Sequence, residues 1–209
     1  MGDALVLFNG QGGEYAATIT AVDRHSVNVK TGPYAERDTE SPLSIHLGIA
    51  LSRGERMDWI VQKSTELGVS TISPLFTEHA GVRLDAQRAG KKTRHWQQVA
   101  ISACEQCGRN RLPTVAAPQA LADWLDSTDA QSRLVLHPRG EPAAALSGTP
   151  ASVALLVGPE GGLSDVEIAR SAAAGFAALQ LGPRVLRTET APLAAIAVLQ
   201  ARWGDFAGD

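Results

Sequence analysis

Apolar and polar positions change rhythm along this chain. From residue 4 to 30 short apolar segments broken by a Gly-rich turn read as β. ALVLF (4–8) and EYAATITAV (14–22) flank the turn NGQGG, a hairpin signal, and SVNVK (26–30) reads as a third strand. TGPYAERDTESP (31–42) is polar, carries two prolines and reads as a linker. From SIHLGIAL (44–51) onward, short apolar runs alternate with helical patterns. GERMDWIVQKSTELG places Met57, Ile60, Val61 and Leu67 at helical spacing, and Gly68 ends it. TISPLF (71–76) is a strand. KKTRHWQQVAISACEQCG is a second helix with Trp96, Val99, Ala103 and Cys107 on one stripe, and PQALADWL a short third. RLVLH (133–137) and VALLV (153–157) read as buried strands. Ser164 and Glu167 form a capping box that opens the next helix, which Gly175 closes. The last helix follows Glu189 and runs to about Trp203. The pattern predicts an α/β fold, a mainly parallel sheet flanked by helices on both faces.

Two strand-to-helix turns stand out in the last quarter. VALLV runs into GPEGG (158–162), and LQLG (179–182) runs into PRVLRTETA (183–191). In open α/β sheets, ligands sit where such turns leave the strand ends, so one pocket built from both turns is expected. It is no P-loop, because G-x-x-x-x-G-K-[ST] is absent. GPEGG is not a dinucleotide fingerprint either, since Pro159 removes an amide donor and fixes φ. What remains is a glycine-walled slot with few charges: Glu160, Arg184, Arg187 and Glu189. Glycines let backbone approach a flat ring closely, which suits a base and ribose better than a polyphosphate. His137 stands at a strand end beside this slot.

Length allows one large domain, or one domain and a small one. No run approaches the eighteen apolar residues of a membrane helix, and the N-terminus lacks a signal-peptide pattern. A cytoplasmic protein without membrane or metal partners is expected. Cys104 and Cys107 have no second pair with which to complete a zinc site, and read as small apolar residues one turn apart. The net charge of −3 is unevenly spread. Residues 81–111 hold seven Lys/Arg against two acids. The segments on either side each hold six basic and ten acidic residues. A basic patch on an acidic body is the footprint of phosphate contact, or of a solvated helix face; charge alone leaves both open.

At these residues the chain resembles the SPOUT, or trefoil-knot, methyltransferases. Within them it is similar to the ribosomal RNA small subunit methyltransferase E family, which methylates N3 of a uridine near the 3′ end of 16S ribosomal RNA. The matching pieces are LSRGERMDWIVQKSTELGVSTISPLFTEHAGVRL, WQQVAISACEQCGRNRLP, LHPRG, LLVGPEGGLSDVE and LGPRVLRTETAPLAAIAVLQ, within residues 44–204. GPEGG together with LGPRVLRTETA is the most specific of them. The resemblance implies S-adenosyl-L-methionine as cofactor, a homodimer, 16S rRNA within the small ribosomal subunit as partner, and a C-terminal trefoil knot. It also implies a small PUA-like β domain that helps hold RNA. That domain normally begins with further strands and an Arg-containing segment, so here it is expected to be incomplete. The expected division is 1–42, partial PUA-like domain and linker, and 43–209, SPOUT methyltransferase domain.

Carried over onto this chain, the resemblance implies a cofactor held by three loops. Leu136 and His137 lie at the first. Leu156, Gly158, Pro159, Glu160 and Gly161 lie at the second. Leu181, Gly182, Arg184, Leu186, Arg187 and Thr190 lie at the third. Uridine N3 must lose its proton before it attacks a methyl group. Arg187 or Arg184 is the candidate for stabilising the developing anion, with Arg187 preferred. Glu160 either accepts the proton or binds the cofactor. Arg83, Lys91, Lys92 and Arg94 are candidate RNA-docking residues, as are Arg109, Asn110 and Arg111 after a helix end. Two alternatives stay open: a SPOUT methyltransferase of another RNA or base, and a non-catalytic RNA-binding assembly factor of the same fold.

Overall fold

The chain divides into two compact units: residues 1–40 with 104–112, and residues 41–103 with 113 onward. The computed structural model describes residues 1–206; residues 207–209, the end of the expected 43–209 domain, lie outside the described residues.

Strands β1 (Ala4–Leu7), β2 (Glu14–Val22) and β3 (Val27–Ala35) form an antiparallel sheet in that order. β3 runs through Ala35, well into the stretch read as linker. Pro33 is tolerated because β3 is an edge strand, where a missing N–H breaks no ladder. The distant segment 104–112 belongs to this unit. Gly12 N donates to Asn110 O (3.0 Å) and Leu112 N to Gly10 O (3.1 Å). Arg109, only 6% exposed, donates to both carboxylate oxygens of Glu40 at 2.9 and 2.5 Å. Burial alone would lower the Arg109 pKa, but the hydrogen bonds and charge of Glu40 outweigh it and raise it. Burial pushes the Cys104 thiol up to about 11, which makes it a poor nucleophile.

The second unit contains β4 (Ser44–Ala50), α1 (Arg56–Glu66), β5 (Thr71–Phe76) and α2 (Ala86–Cys107), whose last turn counts with the first unit. The short strands β6 (Thr114–Val115) and β7 (Gln119–Ala120) follow, then α3 (Leu121–Ser127) and β8 (Ser132–Pro142). β9 (Ser152–Val157), α4 (Asp165–Ala173), β10 (Ala177–Gln180) and α5 (Thr190–Trp203) complete it. The sheet order is β10-β8-β9-β4-β5-β6, with β7 also on β5, and every pairing is parallel. Alternate residues of one strand feed two cores, as the pleat requires. Leu134 and Leu155 join Met57, Ile60, Trp96 and Ile196 on one face. Val135 and Leu156 join Trp124, Leu125 and Phe176 on the other.

Two local signals behave as expected, and one was hidden. Ser164 and Glu167 make the reciprocal capping box at 3.3 and 2.9 Å. Gly175 follows α4 with φ +83, the left-handed value glycine tolerates. α2, however, opens at Ala86 rather than near residue 91, because the Asp85 carboxylate accepts the Arg88 amide at 2.8 Å. No helix among the described residues is long and apolar enough to cross a membrane.

Candidate functional site

A cleft of about 720 Å³ opens at the carboxyl ends of β9 and β10 and at the middle of β8, just past its last pairing with β9; the three are neighbouring strands. Parallel strands bring all their C-terminal ends to one edge of the sheet, so the loops that follow converge there. One wall comes from Leu136 and His137 of β8. A second comes from Gly158, Pro159, Glu160 and Leu163 after β9. The third comes from Leu181, Gly182, Arg184, Leu186, Arg187 and Glu189, between β10 and α5. Leucines supply apolar walls, and polar groups gather at the loops, the usual composition of a small-molecule pocket.

Local chemistry fixes each wall. Gly162 N bonds back to Pro159 O at 2.9 Å, closing the GPEGG turn. The carboxylate of Glu167 ties this loop to the one after β5: it accepts the amides of Ser164 (2.9 Å) and Glu78 (2.8 Å). His79 Nδ1 lies 3.1 Å from Gly162 O. Arg187 O accepts the amides of Thr190 and Ala191, both at 2.9 Å, which sets Arg187 just before the first turn of α5. The free amides of that turn carry the positive end of the helix dipole. Gly182 adopts φ +86, and a Cβ there would meet no protein atom within 4 Å. The His137 Nδ1 lone pair accepts the Arg139 amide at 3.1 Å, so the neutral ring carries its proton on Nε2.

The structure brings together most of the residues marked in the sequence for a cofactor, but not all. Leu156 is buried in the core with Trp124 and Phe176, Gly161 packs beside His79, and Thr190 begins α5; none of them lines the cleft. Gly158 does line it, but a Cβ there would meet Leu163, 3.0 Å away at Cγ and 3.2 Å at N. Its smallness therefore serves loop packing first.

One charged cleft residue escaped the sequence reading. Arg56 lines the pocket and is ion-paired with Glu160. The helical pattern of 54–68 absorbed it as an ordinary first-turn charge. Only the pairing of β4 with β9 puts the loop after one beside the loop after the other.

The basic stretch 81–111 is divided between the two units. Arg83, Lys91, Lys92 and Arg94 are exposed. Arg109 and Asn110 depart from their expected place on the surface. Asn110 is 2% exposed and its amide donates to Arg37 O, while Arg109 is held by Glu40. Chain closure, not solvent, receives these two side chains. Arg111 is exposed, with Nε 3.2 Å from Asp38 and an N–H donated to Gln11 O at 2.9 Å. Asp38 in turn is held below the usual carboxylate range, first by the Glu40 amide and then by Arg111.

Comparison with known proteins adds the following. Residues 39–200 match the RNA methyltransferase domain family, and residues 1–31 the RNA methyltransferase PUA domain family. A ribosomal RNA small subunit methyltransferase E of Buchnera aphidicola (subsp. Schizaphis graminum) is 38% identical, over 98% of this chain and 84% of its own length. A Legionella pneumophila structure with bound cofactor SAM superposes with a TM-score of 0.95 at 45% identity, covering 98% of this chain and 85% of that one. A Neisseria gonorrhoeae ribosomal RNA small subunit methyltransferase E, solved with S-adenosyl methionine, gives 0.92 at 40% identity, covering 98% and 86%.

Proposed function

Because the chain belongs to the RNA methyltransferase family, and within it to the ribosomal RNA small subunit methyltransferase E branch, we propose that it methylates N3 of a uridine near the 3′ end of 16S rRNA, with S-adenosylmethionine as donor. The observation that carries this reading is the glycine- and leucine-walled cleft lined by three adjacent parallel strands and the loops beside them. The donor supplies an electrophilic methyl on a sulfonium. Leu136, Leu163, Leu181 and Leu186 offer apolar surface for its adenine, while Gly182 admits close backbone approach. Arg187 stabilises the anion that develops as the N3 proton leaves. Mass mapping of methylated nucleosides in small-subunit rRNA, with and without the protein, tests the reaction. Methylation at another base, or in another RNA, would redirect the reading to a different member of the fold.

Cofactor binding has its own test. Gly158→Val should drive a branched side chain into Leu163 and distort the GPEGG wall. Calorimetry should show affinity for S-adenosylmethionine weakened more than tenfold, about 1.4 kcal/mol. Unchanged affinity in a folded variant rejects this placement.

RNA docking rests on the exposed Arg83, Lys91, Lys92 and Arg94, with the PUA-like region 1–42 and the exposed Arg111 as a second contact. Neutralising Lys91, Lys92 and Arg94 should weaken RNA binding and flatten its salt dependence, by about 0.7–0.9 in log–log slope for each phosphate left without its cation. Saturating RNA should largely restore the rate. A slope identical to that of the wild type would place the docking face elsewhere.

The reading also carries a C-terminal knot within 43–209 and a homodimer through α5. The apolar run of the last helix would put an interface around Leu193, Ile196 and Leu199, but Ile196 and Leu199 are fully buried within the protomer and Leu193 is half-buried. Their place on the partner-facing surface passes to the outer stripe Ala194, Ala197, Val198 and Ala201, spaced for one helix face. Light scattering should find a dimer at micromolar concentration, and Val198→Asp should shift it towards monomer. A wild-type protein that is wholly monomeric removes the dimer from the reading. A crystallographic chain trace that pulls straight from its ends removes the knot.

A further inference from the structure

The cleft holds two carboxylates, Glu160 and Glu189, and three guanidinium groups, Arg56, Arg184 and Arg187. Only one cross-pair forms among them: Arg56, at the start of α1, with Glu160 of the GPEGG turn. Both side chains are well exposed, 41% and 63%. Exposed pairs of this kind are held weakly, so a stronger anion can take the guanidinium over. A phosphate diester is such an anion, because a guanidinium meets it through two parallel hydrogen bonds. His137 is a poor rival as proton acceptor, since its Nδ1 lone pair is already used by the Arg139 amide.

We infer that Arg56 is a substrate-released latch on Glu160: a phosphate of the docked RNA draws Arg56 away, and the freed carboxylate then accepts the proton of the reacting base. This rests on the methyltransferase reading above. While Arg56 is paired with Glu160, its guanidinium holds the carboxylate through Oε1. With RNA docked, N3 gives its proton to Glu160 and keeps the electron pair. That pair forms the bond to the methyl carbon as the carbon–sulfur pair stays with sulfur, leaving a neutral thioether. The arrangement keeps the base capped until a nucleic acid is in place. It also assigns Arg56 a phosphate contact outside the basic stretch 81–111.

The pair predicts opposite effects of its two members on RNA binding. The probe is small ribosomal subunits lacking the methyl mark, with binding measured across a salt series. Arg56→Ala should flatten the log–log salt slope by about 0.7–0.9, the share of one phosphate. Arg56→Lys should keep the slope. Glu160→Gln should tighten binding about two- to fivefold, because Arg56 no longer has a competing partner. That gain should vanish in the Arg56→Ala background, as a double-mutant cycle requires of two coupled residues. In single-turnover methylation at saturating RNA, Glu160→Gln should lose its pH dependence along with most of its rate. Arg56→Ala at saturation should retain the wild-type pH profile, because the base remains. Weaker RNA binding by Glu160→Gln, or tightening that persists without Arg56, overturns the latch. A wild-type protein that binds subunits but transfers no methyl group overturns the methyltransferase reading instead, and the salt series then still decides the Arg56 contact.

Discussion

Arg187→Ala is expected to lower the single-turnover rate of methyl transfer about 10²–10³-fold at saturating RNA and cofactor. Its backbone is pinned by the amides of Thr190 and Ala191, so the side chain starts from a fixed point at the cleft wall. Among the described residues it has no carboxylate partner, and its charge remains available to the reacting base. An interaction made mainly as charge develops raises the maximal rate rather than the affinity. RNA affinity should therefore change little in this variant. The contrast with the Lys91, Lys92 and Arg94 variant is the sharp part of the test. If Arg187→Ala loses only affinity while the triple variant loses the maximal rate, the two roles are reversed.

The largest effect on stability is expected at Trp124. This side chain is 1% exposed and lies over Gly48 of β4, where even a Cβ would approach its ring to 2.6 Å. Its ring meets His46 edge-on at 5.3 Å and Phe176 at 5.5 Å. Its indole N–H donates to His46 Nε2 at 3.0 Å. Trp124→Ala should cost about 3–5 kcal/mol, read as the shift in a urea unfolding curve. A loss below about 1 kcal/mol would mean that the site collapses around the gap. The same contact makes stability depend on pH. Burial lowers the His46 pKa from its ordinary 6.5, and the indole N–H needs the unprotonated nitrogen as acceptor. A folded pKa below the unfolded one means that the unfolded chain binds the extra proton. This contribution is complete above pH 6.5 and is lost as pH falls below it. His46→Gln should remove that part of the pH slope.

Periodicity and end signals were legible because they are local. TISPLF and EYAATITAV occupy the strands read from their sequence, and Ser164 with Glu167 caps α4 through atoms three residues apart. The two Gly- and Pro-rich turns marked the cleft for the same reason, since a strand that stops beside a helix start is written in neighbouring residues. Pairing between distant strands is not so written. β8 extends to Pro142, beyond its apolar run, because β10 pairs with it at Glu141 and Pro142 after a shift in register. Arg109 and Asn110 look like surface charge and polarity at a helix end, yet a return of the chain to residues 10–12 and 37–40 buries both. Leu156 and Leu155 are equivalent in sequence, and only the sheet's two faces decide which core each enters. Arg56 stands about a hundred positions before Glu160 and meets it because β4 lies next to β9. The sequence by itself determined which segments are strands and helices and where backbone amides come free. The tertiary structure alone decided which loops share an edge of the sheet, because strand order depends on packing across the whole unit and leaves no trace in any single window.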